Sequence, residues 1–285
     1  MAVGAEEPLV AACAAGDVAG VLRLVAEGVD VNRATAAEGW TPLLWASHRG
    51  HAGAVQALVG PGGADVNAPG PTGATPLYVA SERGHLDVVL ALLDVPGVDV
   101  NRTNLQGDTP LTAACGGDSE RVVRTLLGTK GVDINRAAMD GLTPLHLVVQ
   151  MGSEPGILHS LLEAPGIDVD KMDVKGRTPL FEACSAGKAL AVEALISAGA
   201  DAKARGAGGE TLLDVACMSL AFPREGRTAH GIRTVRQRAG PLLKVLILAG
   251  LPSERAERIV MDDLGRGWQR AVAILLKAGV GNVKS

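Results

Sequence analysis

The four cysteines of this 285-residue chain are considered first, because thiolates bind metals and act as nucleophiles. Cys13, Cys115, Cys184 and Cys217 are separated by 102, 69 and 33 residues, and none belongs to a Cys-x-x-Cys pair. This spacing does not resemble a zinc site. Each cysteine follows an alanine, five positions after a proline or the residue in its place, which is typical of small side chains buried between helices. We therefore expect buried free thiols and neither a metal site nor a disulfide framework.

Other chemistry-bearing residues form no catalytic constellation. His51, His85 and His146 do not converge with a cysteine or an acid in the predicted structure. The glycine-rich run at 206–209 matches neither a phosphate-binding loop nor a dinucleotide fingerprint. The sequence therefore predicts a protein that is not an enzyme, with no catalytic residue, no cofactor and no metal ion.

A second candidate for chemistry is an arginine-rich stretch at 224–238. It contains five arginines and one acid, Glu225, so that its local charge is +4 in a chain of net charge −4. Such a stretch could contact phosphate, nucleic acid or an acidic peptide. A solvated loop is the alternative, and we favour it because only Phe222 could stack on a base. The acidic net charge also argues against a nucleic-acid partner.

The elements that would position these residues repeat along the chain. Thr-Pro-Leu recurs at Thr41, Thr75, Thr109, Thr143 and Thr178, in steps of 34, 34, 34 and 35 residues. A fixed period of this size predicts a stacked array in which each unit touches only its neighbours. With 47% apolar but only 2% aromatic residues, the core must consist of Ala, Leu and Val, which suits thin, closely stacked helices.

One unit can be derived from its residues. Thr75 suits a helix N-cap, and Pro76 suits the first helical position, where its missing N–H costs nothing. Gly84 ends this short helix in a left-handed conformation. A second helix follows at 87–93, and residues 98–101 are expected to be extended before the turn that leads to the next threonine.

This pattern resembles the ankyrin repeat, through Thr-Pro-Leu, Gly-His after the first helix, a Val-Val/Leu-Leu second helix, and Asp-Val-Asn. The resemblance implies an all-α solenoid of about eight stacked helix-turn-helix units with projecting β-turns. It also implies that the rings of His51, His85 and His146 hydrogen-bond the adjacent turn backbone. One departure concerns unit four, where Asp118 replaces the expected glycine, and we expect Gly117 to end the helix one residue early.

The boundaries of the units follow from the repeat. We predict one array over residues 1–285, with an N-terminal cap unit at 6–37 and complete repeats at 38–206. A diverged unit with the insertion follows at 207–250, and a C-terminal cap at 251–281. Such arrays need polar terminal units to keep their ends soluble.

The resemblance further implies that a partner binds the β-turn tips and the exposed ends of the first helices, which line a concave groove. These candidate residues are, at the tips, Trp40, Thr72, Leu105, Gln106, Asp108, Met139, Asp140, Leu142, Val174, Lys175 and Arg177, and, in the first helices, His48, Arg49, Glu82, Arg83, Gln150 and Met151.

Apolar side chains at the tips are the most informative of these candidates. Trp40, Leu105, Met139, Leu142 and Val174 come from successive units and are expected to face water, as exposed binding patches do. The alternative is that each packs sideways on its neighbouring tip. We expect truncation of Trp40 to weaken binding and leave stability nearly unchanged, whereas Trp45 should face the core.

The predicted function is non-enzymatic protein–protein interaction, as a scaffold or adaptor. The partner is a protein of unknown identity, nucleic acid is disfavoured, and we expect a monomer in the cytoplasm, with the nucleus as the alternative location. No stretch of ~20 apolar residues predicts a membrane span. Two alternatives remain, namely a substrate-recruiting component of a ubiquitin ligase or kinase complex, and an anionic-ligand contact through the arginine-rich insertion 224–238.

Overall fold

The computed structural model describes residues 8–152, 155–212 and 215. Across these residues it contains twelve α-helices and one isolated β-bridge, between Arg205 and Thr211. The helices are α1 Pro8–Ala15, α2 Val18–Ala26, α3 Pro42–Arg49, α4 Ala52–Val59, α5 Pro76–Glu82, α6 Leu86–Leu93, α7 Pro110–Gly116, α8 Glu120–Leu127, α9 Pro144–Met151, α10 Pro155–Leu162, α11 Pro179–Ser185 and α12 Ala189–Ser197. The all-α repeat architecture predicted from the sequence is confirmed. Cys217, the insertion around 224–238 and the cap at 251–281 lie outside the described residues.

The described chain divides into two compact units. The first comprises residues 8–148 and 155–166, and the second comprises residues 149–152, 167–212 and 215. In the first unit the first helices of successive repeats pack in order, α1 on α3, α3 on α5 and α5 on α7, and the second helices pack likewise from α2 to α8. In the second unit α11 packs on α12. The repeats of the first unit therefore form the neighbour-to-neighbour array that the sequence period predicts.

Threonine and glycine define the ends of each first helix, as the third repeat shows. Thr75 has an extended backbone with φ −83° and ψ 166°, and its side-chain oxygen accepts a hydrogen bond from the backbone N–H of Tyr78 at 3.2 Å. Pro76 occupies the first turn of α5, and Gly84 adopts a left-handed φ of +71° after its last turn. The helix start and stop predicted from Thr-Pro and Gly are thus confirmed.

The fourth repeat corrects one sequence-based expectation. Gly117 does not end the helix in a left-handed conformation, since its φ is −78°, and Asp118 takes that conformation with φ +53°. Asp118 is the only non-glycine residue with positive φ in the described part of the chain, and aspartate tolerates this region better than most residues. Gly117 is needed for a different reason, because a Cβ there would collide with the backbone carbonyl of Glu82 in the preceding repeat.

Leucine and valine side chains form the core between repeats. Leu77 and Leu111, which follow the helix-starting prolines, are 1% exposed, and Leu92 and Leu126 of the second helices are 0% exposed. Burying one such side chain contributes roughly 1.5–3 kcal/mol.

The cysteines lie in the same core. Cys13, Cys115 and Cys184 are each 0% exposed, and Cys13 and Cys115 are free thiols. Burial raises the pKa of all three thiols to about 12, which keeps them in the unreactive protonated form. The predicted burial is confirmed for these three cysteines.

Asparagine side chains that follow the second helices join successive repeats. Asn101 Nδ2 donates to Gly131 O at 2.7 Å, and its Oδ1 accepts from the backbone N–H of Asp133 at 2.8 Å. Asn67 makes the same two bonds to the following repeat. The segment 98–101 is not extended as predicted, because the carboxylate of Asp99 accepts a hydrogen bond from the N–H of Asn101 and folds it into a turn. This turn directs the asparagine amide toward the next repeat.

The fifth repeat has Asp170 at the asparagine position. Its carboxylate accepts from the N–H of Asp201 at 2.9 Å, but it cannot donate to Gly199, which holds the place of Gly131 in the sequence. We expect Asp170→Asn to raise the free energy of unfolding by about 1 kcal/mol, since it adds one hydrogen bond. We expect Asn101→Asp to lower it by about the same amount, since it removes one. Urea denaturation followed by circular dichroism measures both changes.

The pair provides its own control, because the two substitutions are reciprocal and each conserves the size of the side chain. Shifts of the same sign in both variants would show that the gain or loss of the amide donor does not determine stability at this position.

Candidate functional site

The β-turn tips are held in shape by hydrogen bonds of their own. In the fourth repeat, Asn104 Oδ1 accepts from the backbone N–H groups of Gln106 and Asp108, both at 2.9 Å. In the sixth repeat, which lies in the second unit, Asp173 Oδ1 accepts from Lys175 and Arg177 at 2.9 and 2.8 Å. An acceptor at the first tip position therefore orders the tip before any partner is bound.

Adjacent tips of the first unit are also bonded to each other. The backbone N–H of Leu105 donates to Thr72 O, and that of Met139 donates to Gln106 O, each at 2.9 Å. Gly73 and Gly107 permit this close approach, because both have positive φ and an added Cβ would lie 2.9–3.0 Å from the backbone nitrogen of the neighbouring tip. The tips of repeats three to five thus form one continuous backbone ladder.

The candidate tip residues fall into two groups by exposure. Leu105 and Met139 at the tip apices are 64% and 78% exposed, and Val174 in the second unit is 68% exposed. The polar apex residues are exposed as well, and these are Thr72, Gln106, Asp140 and Lys175. The residues directly before the helix-capping threonine are only partly exposed, and these are Trp40, Asp108, Leu142 and Arg177. Of the apolar tip candidates, therefore, Leu105, Met139 and Val174 are mainly exposed.

Trp40 lies in an aromatic cluster beside the tip and not at its apex. Its ring centroid is 5.2 Å from that of Trp45 and 5.3 Å from that of His48, and the guanidinium of Arg49 lies 5.8 Å from the Trp45 ring centroid. Trp45 is 5% exposed, which confirms its predicted packing role. The expectation that Trp40 faces water is wrong, because its position before the threonine turns the ring onto α3.

The surroundings of His48 in this cluster lower the pKa of its ring. The pKa of His48 lies below its ordinary value of 6.5, first because the ring is partly buried and second because the positive charges of Arg83, Arg49 and His85 oppose protonation. The neutral ring is therefore the form that the fold favours near neutral pH.

The histidines after the first helices bind backbone of the preceding repeat. His51 Nε2 lies 3.1 Å from Ala14 O, and His85 Nε2 lies 3.0 Å from His48 O. These carbonyls belong to the last turn of the preceding first helix, and not to the adjacent turn as the resemblance implied. The ring of His146 does bind its adjacent turn, since its Nδ1 lies 2.9 Å from Thr143 Oγ1. All three rings thus stabilise the fold.

The side chain of Arg177 forms ion pairs within its own repeat, in the second unit. Its guanidinium contacts Asp173 Oδ2 at 2.6 Å and Glu182 Oε2 at 2.7 Å. Glu182 Oε1 also accepts from Gln150 Nε2 at 3.3 Å. The sequence alone did not show this network, although an acid four residues before Arg177 and another five residues after it were visible signals.

The remaining first-helix candidates lie at the exposed ends of their helices. Arg49, Glu82, Arg83 and Met151 are exposed, and Gln150 is partly exposed. Sequence analysis overlooked Lys188, which takes the place of His51 and His85 in the sixth repeat. Its ammonium donates to Val149 O and Gln150 O at 2.6 and 2.7 Å, and burial first of all lowers its pKa.

Neither metal-binding nor membrane-spanning features occur in the described structure. No group of three or more His, Cys, Asp or Glu side chains converges there in a way that could hold a metal ion. None of the described helices has the length and apolar character that crossing a membrane requires.

Comparison with known proteins identifies the repeats. A family model described as "Ankyrin repeats (3 copies)" matches residues 9–104 and 96–173, and one described as "Ankyrin repeat" matches residues 175–207. The chain belongs to the ankyrin repeat family. Ankyrin repeat domains are in general protein–protein interaction modules without catalytic activity.

Solved structures of the family resemble this ankyrin repeat protein. The ankyrin repeat domain of Bcl-3, described as a unique member of the IkappaB protein family, is 26% identical with a TM-score of 0.69, covering 82% of this chain and 100% of its own. The human ASB11 ankyrin repeat domain is also 26% identical, with a TM-score of 0.67, covering 87% of this chain and 100% of its own. No curated protein matches the sequence.

The position of Trp40 predicts a structural cost of its removal. We expect Trp40→Ala to lower the free energy of unfolding by about 2 kcal/mol, because the ring packs on Trp45 and His48. Urea denaturation measures the loss. Leu105→Ala is the matched control and should change stability little, since its side chain is 64% exposed. An unchanged denaturation midpoint for Trp40→Ala would contradict the packing role.

The lowered pKa of His48 predicts a pH dependence. Between the folded pKa and the ordinary value of 6.5, the unfolded chain binds more protons, so stability is lost as the pH falls below about 6.5. We expect His48→Gln to be less sensitive than the parent chain when denaturation is compared at about pH 7.5 and about pH 5.5. Equal losses of the free energy of unfolding in both proteins would show that His48 does not contribute to the pH dependence.

Proposed function

We propose that this ankyrin repeat protein is a non-enzymatic scaffold or adaptor that binds a protein partner through its tip ladder, defined as residues 72, 105, 106, 139 and 140 of repeats three to five. Support comes first from the family, whose domains bind proteins. It comes second from two large apolar side chains, Leu105 and Met139, exposed on adjacent tips.

The exposure of Leu105 and Met139 carries the proposal. The hydrogen bonds from their backbone N–H groups to Thr72 and Gln106 hold the two side chains on neighbouring tips. Neither side chain is needed for the ladder, because only backbone atoms form the hydrogen bonds between the tips. Exposed apolar side chains with no structural task are typical of binding surfaces.

Rigidity of the ladder supports binding as well. The tips are ordered by side-chain acceptors such as Asn104 and by the bonds between tips, so that little conformational entropy has to be lost on binding. A preformed surface of this kind binds with little backbone change. We place Asp140 and Gln106 at the polar rim of the same surface.

The other candidate residues contribute in different degrees. Glu82, Arg83 and Arg49 extend the proposed surface along the first-helix ends. Val174, Lys175 and Met151 are exposed in the second unit and could present a similar surface there. Arg177 is excluded from our proposal because its guanidinium is engaged by Asp173 and Glu182.

The division of the chain into a cap, complete repeats and a diverged C-terminal part also stays a prediction. We retain the N-terminal cap at 6–37, in which α1 and α2 form the first helix pair of the array.

We expect Leu105→Asp combined with Met139→Asp to weaken partner binding by about tenfold or more, because charge replaces two apolar contacts. Affinity purification from cell extract with the full-length chain would first identify a partner, and isothermal titration with the purified partner would then give the loss. Stability should stay within about 0.5 kcal/mol of the parent, since both side chains are exposed.

A matched control is Leu190→Asp, because Leu190 is 77% exposed on a second helix and not on a tip. Full partner affinity of the double tip variant would contradict the proposed surface. Steep weakening of binding with salt would instead favour a contact through the arginine-rich stretch 224–238.

A further inference from the structure

A cavity of about 500 Å³ opens on the first-helix face of the fourth repeat, within the first unit. It exists because two side chains of this repeat are small. Ala113 and Gly116 occupy the positions at which the second repeat has Trp45 and His48. The volume lies within the range of ~300–1,000 Å³ that is typical of ligand pockets in proteins.

The walls of the cavity combine apolar and polar surface. Tyr78 of the third repeat and Leu147 of the fifth repeat line it on either side of Ala113. A Cβ added at Gly116 would lie 3.8 Å from Leu147 Cδ2, so it would fit there in ordinary van der Waals contact with the cavity wall. The cavity therefore offers room for a side chain, with apolar walls along its length.

Two carboxylates give the cavity its charge. Glu82 and Asp108 both line it, and neither forms an ion pair within the described part of the chain. Among the described residues, the one hydrogen bond that the Asp108 carboxylate accepts is a long one, of 3.4 Å, from Asn104 Nδ2. Burial, and then the charges of Asp108 and Glu82, raise the pKa of Tyr78, which also lines the cavity, to about 12.

Arg83 also lines the cavity, so its lining carries two carboxylates and one guanidinium, a net charge of −1. The charge of Arg83 is also among the causes that lower the pKa of His48 in the second repeat.

The sixth repeat shows how this chain neutralises a carboxylate pair elsewhere. There Arg177 lies between Asp173 and Glu182 and contacts both within 2.7 Å. In the fourth repeat the residue at the position of Arg177 is Asp108. This position therefore carries a negative charge in the fourth repeat and a positive charge in the sixth.

We propose that the cavity of the fourth repeat binds a lysine or arginine side chain of the protein partner, with the aliphatic part of that side chain against Leu147 and Tyr78 and its charged group at Asp108 and Glu82. The inference rests on the proposed protein-binding function and assigns the type of residue that anchors the partner. A cation placed between carboxylates in a partly buried site forms charge-assisted hydrogen bonds, which are stronger than neutral ones.

Tyr78 provides a direct reporter, because it is the only tyrosine in the 285-residue sequence. Full-length protein containing 3-fluorotyrosine has a single fluorine signal, located in the cavity wall. Titration with Nα-acetyl-arginine amide should move this signal saturably, with half-saturation at roughly 1 mM. Nα-acetyl-citrulline amide, which has the same shape without the charge, should leave the signal unmoved at the same concentrations.

Two variants test the location of binding. Gly116→Leu fills the cavity and favours the helix, so it should fold and lose the arginine-induced shift. Asp108→Asn keeps the shape of the tip but removes a charge, and it should raise the half-saturation concentration at least about fivefold. Asp94→Asn, which removes an exposed carboxylate at the end of α6 and outside the cavity lining, is the matched control and should bind like the parent.

An equal response to the citrulline probe, an undiminished shift in Gly116→Leu, or no saturable shift up to about 20 mM arginine probe would each overturn the proposal. Because this titration needs no partner, its failure is separate from failure of the tip ladder. A partner that loses affinity for the Leu105 and Met139 variant but binds Gly116→Leu fully would leave the interaction function in place and refute only the basic anchor.

Discussion

Burial of leucine between neighbouring helix pairs is the constraint on which the described structure depends. A pair such as α5 and α6 has apolar faces that it cannot bury alone, and Leu77 and Leu92 become inaccessible only through contact with other helices of the stack. The 34-residue period follows from this requirement, because each copy must present the same faces at the same spacing. Small residues at the helix contacts, including Cys13 and Cys115, allow the first helices to approach closely.

Hydrogen bonds between repeats then set the register that hydrophobic burial alone leaves loose. Asn67 and Asn101 bind the following repeat through both ends of the amide, while Leu105 and Met139 join the tips through their backbone. The bonds between repeats through the asparagines require the amide side chain. The backbone bonds between tips require only the neighbouring glycines, Gly73 and Gly107. The tip side chains are consequently free to vary, and variation there would change the proposed binding surface without loss of the fold.

The proposed surface and the cavity follow from this division of tasks. Leu105 and Met139 are presented on a rigid backbone to which their side chains contribute nothing, and Ala113 and Gly116 remove side chains from one repeat without interrupting α7. A partner could thus be recognised through apolar contact at the tips and through a basic side chain in the cavity. Both sites lie in the first unit and are formed by the same repeats, three to five.

The sequence by itself determined the helix pairs, their threonine and glycine ends, and the buried positions of Trp45, Cys13, Cys115 and Cys184, because these depend on local rules and on a pattern repeated five times. The resemblance of that pattern to the ankyrin repeat placed Leu105 and Met139 on the surface. Only the tertiary structure decided that Trp40 packs on α3, that Asp118 and not Gly117 takes the left-handed conformation, and that Arg177 is held by Asp173 and Glu182. Each of these depends on side-chain direction or on contacts between residues that the repeat pattern does not specify. The cavity, too, was decided by the tertiary structure. The run of small residues from Ala113 to Gly117 is visible in the sequence, but the walls at Tyr78 and Leu147 come from the two neighbouring repeats.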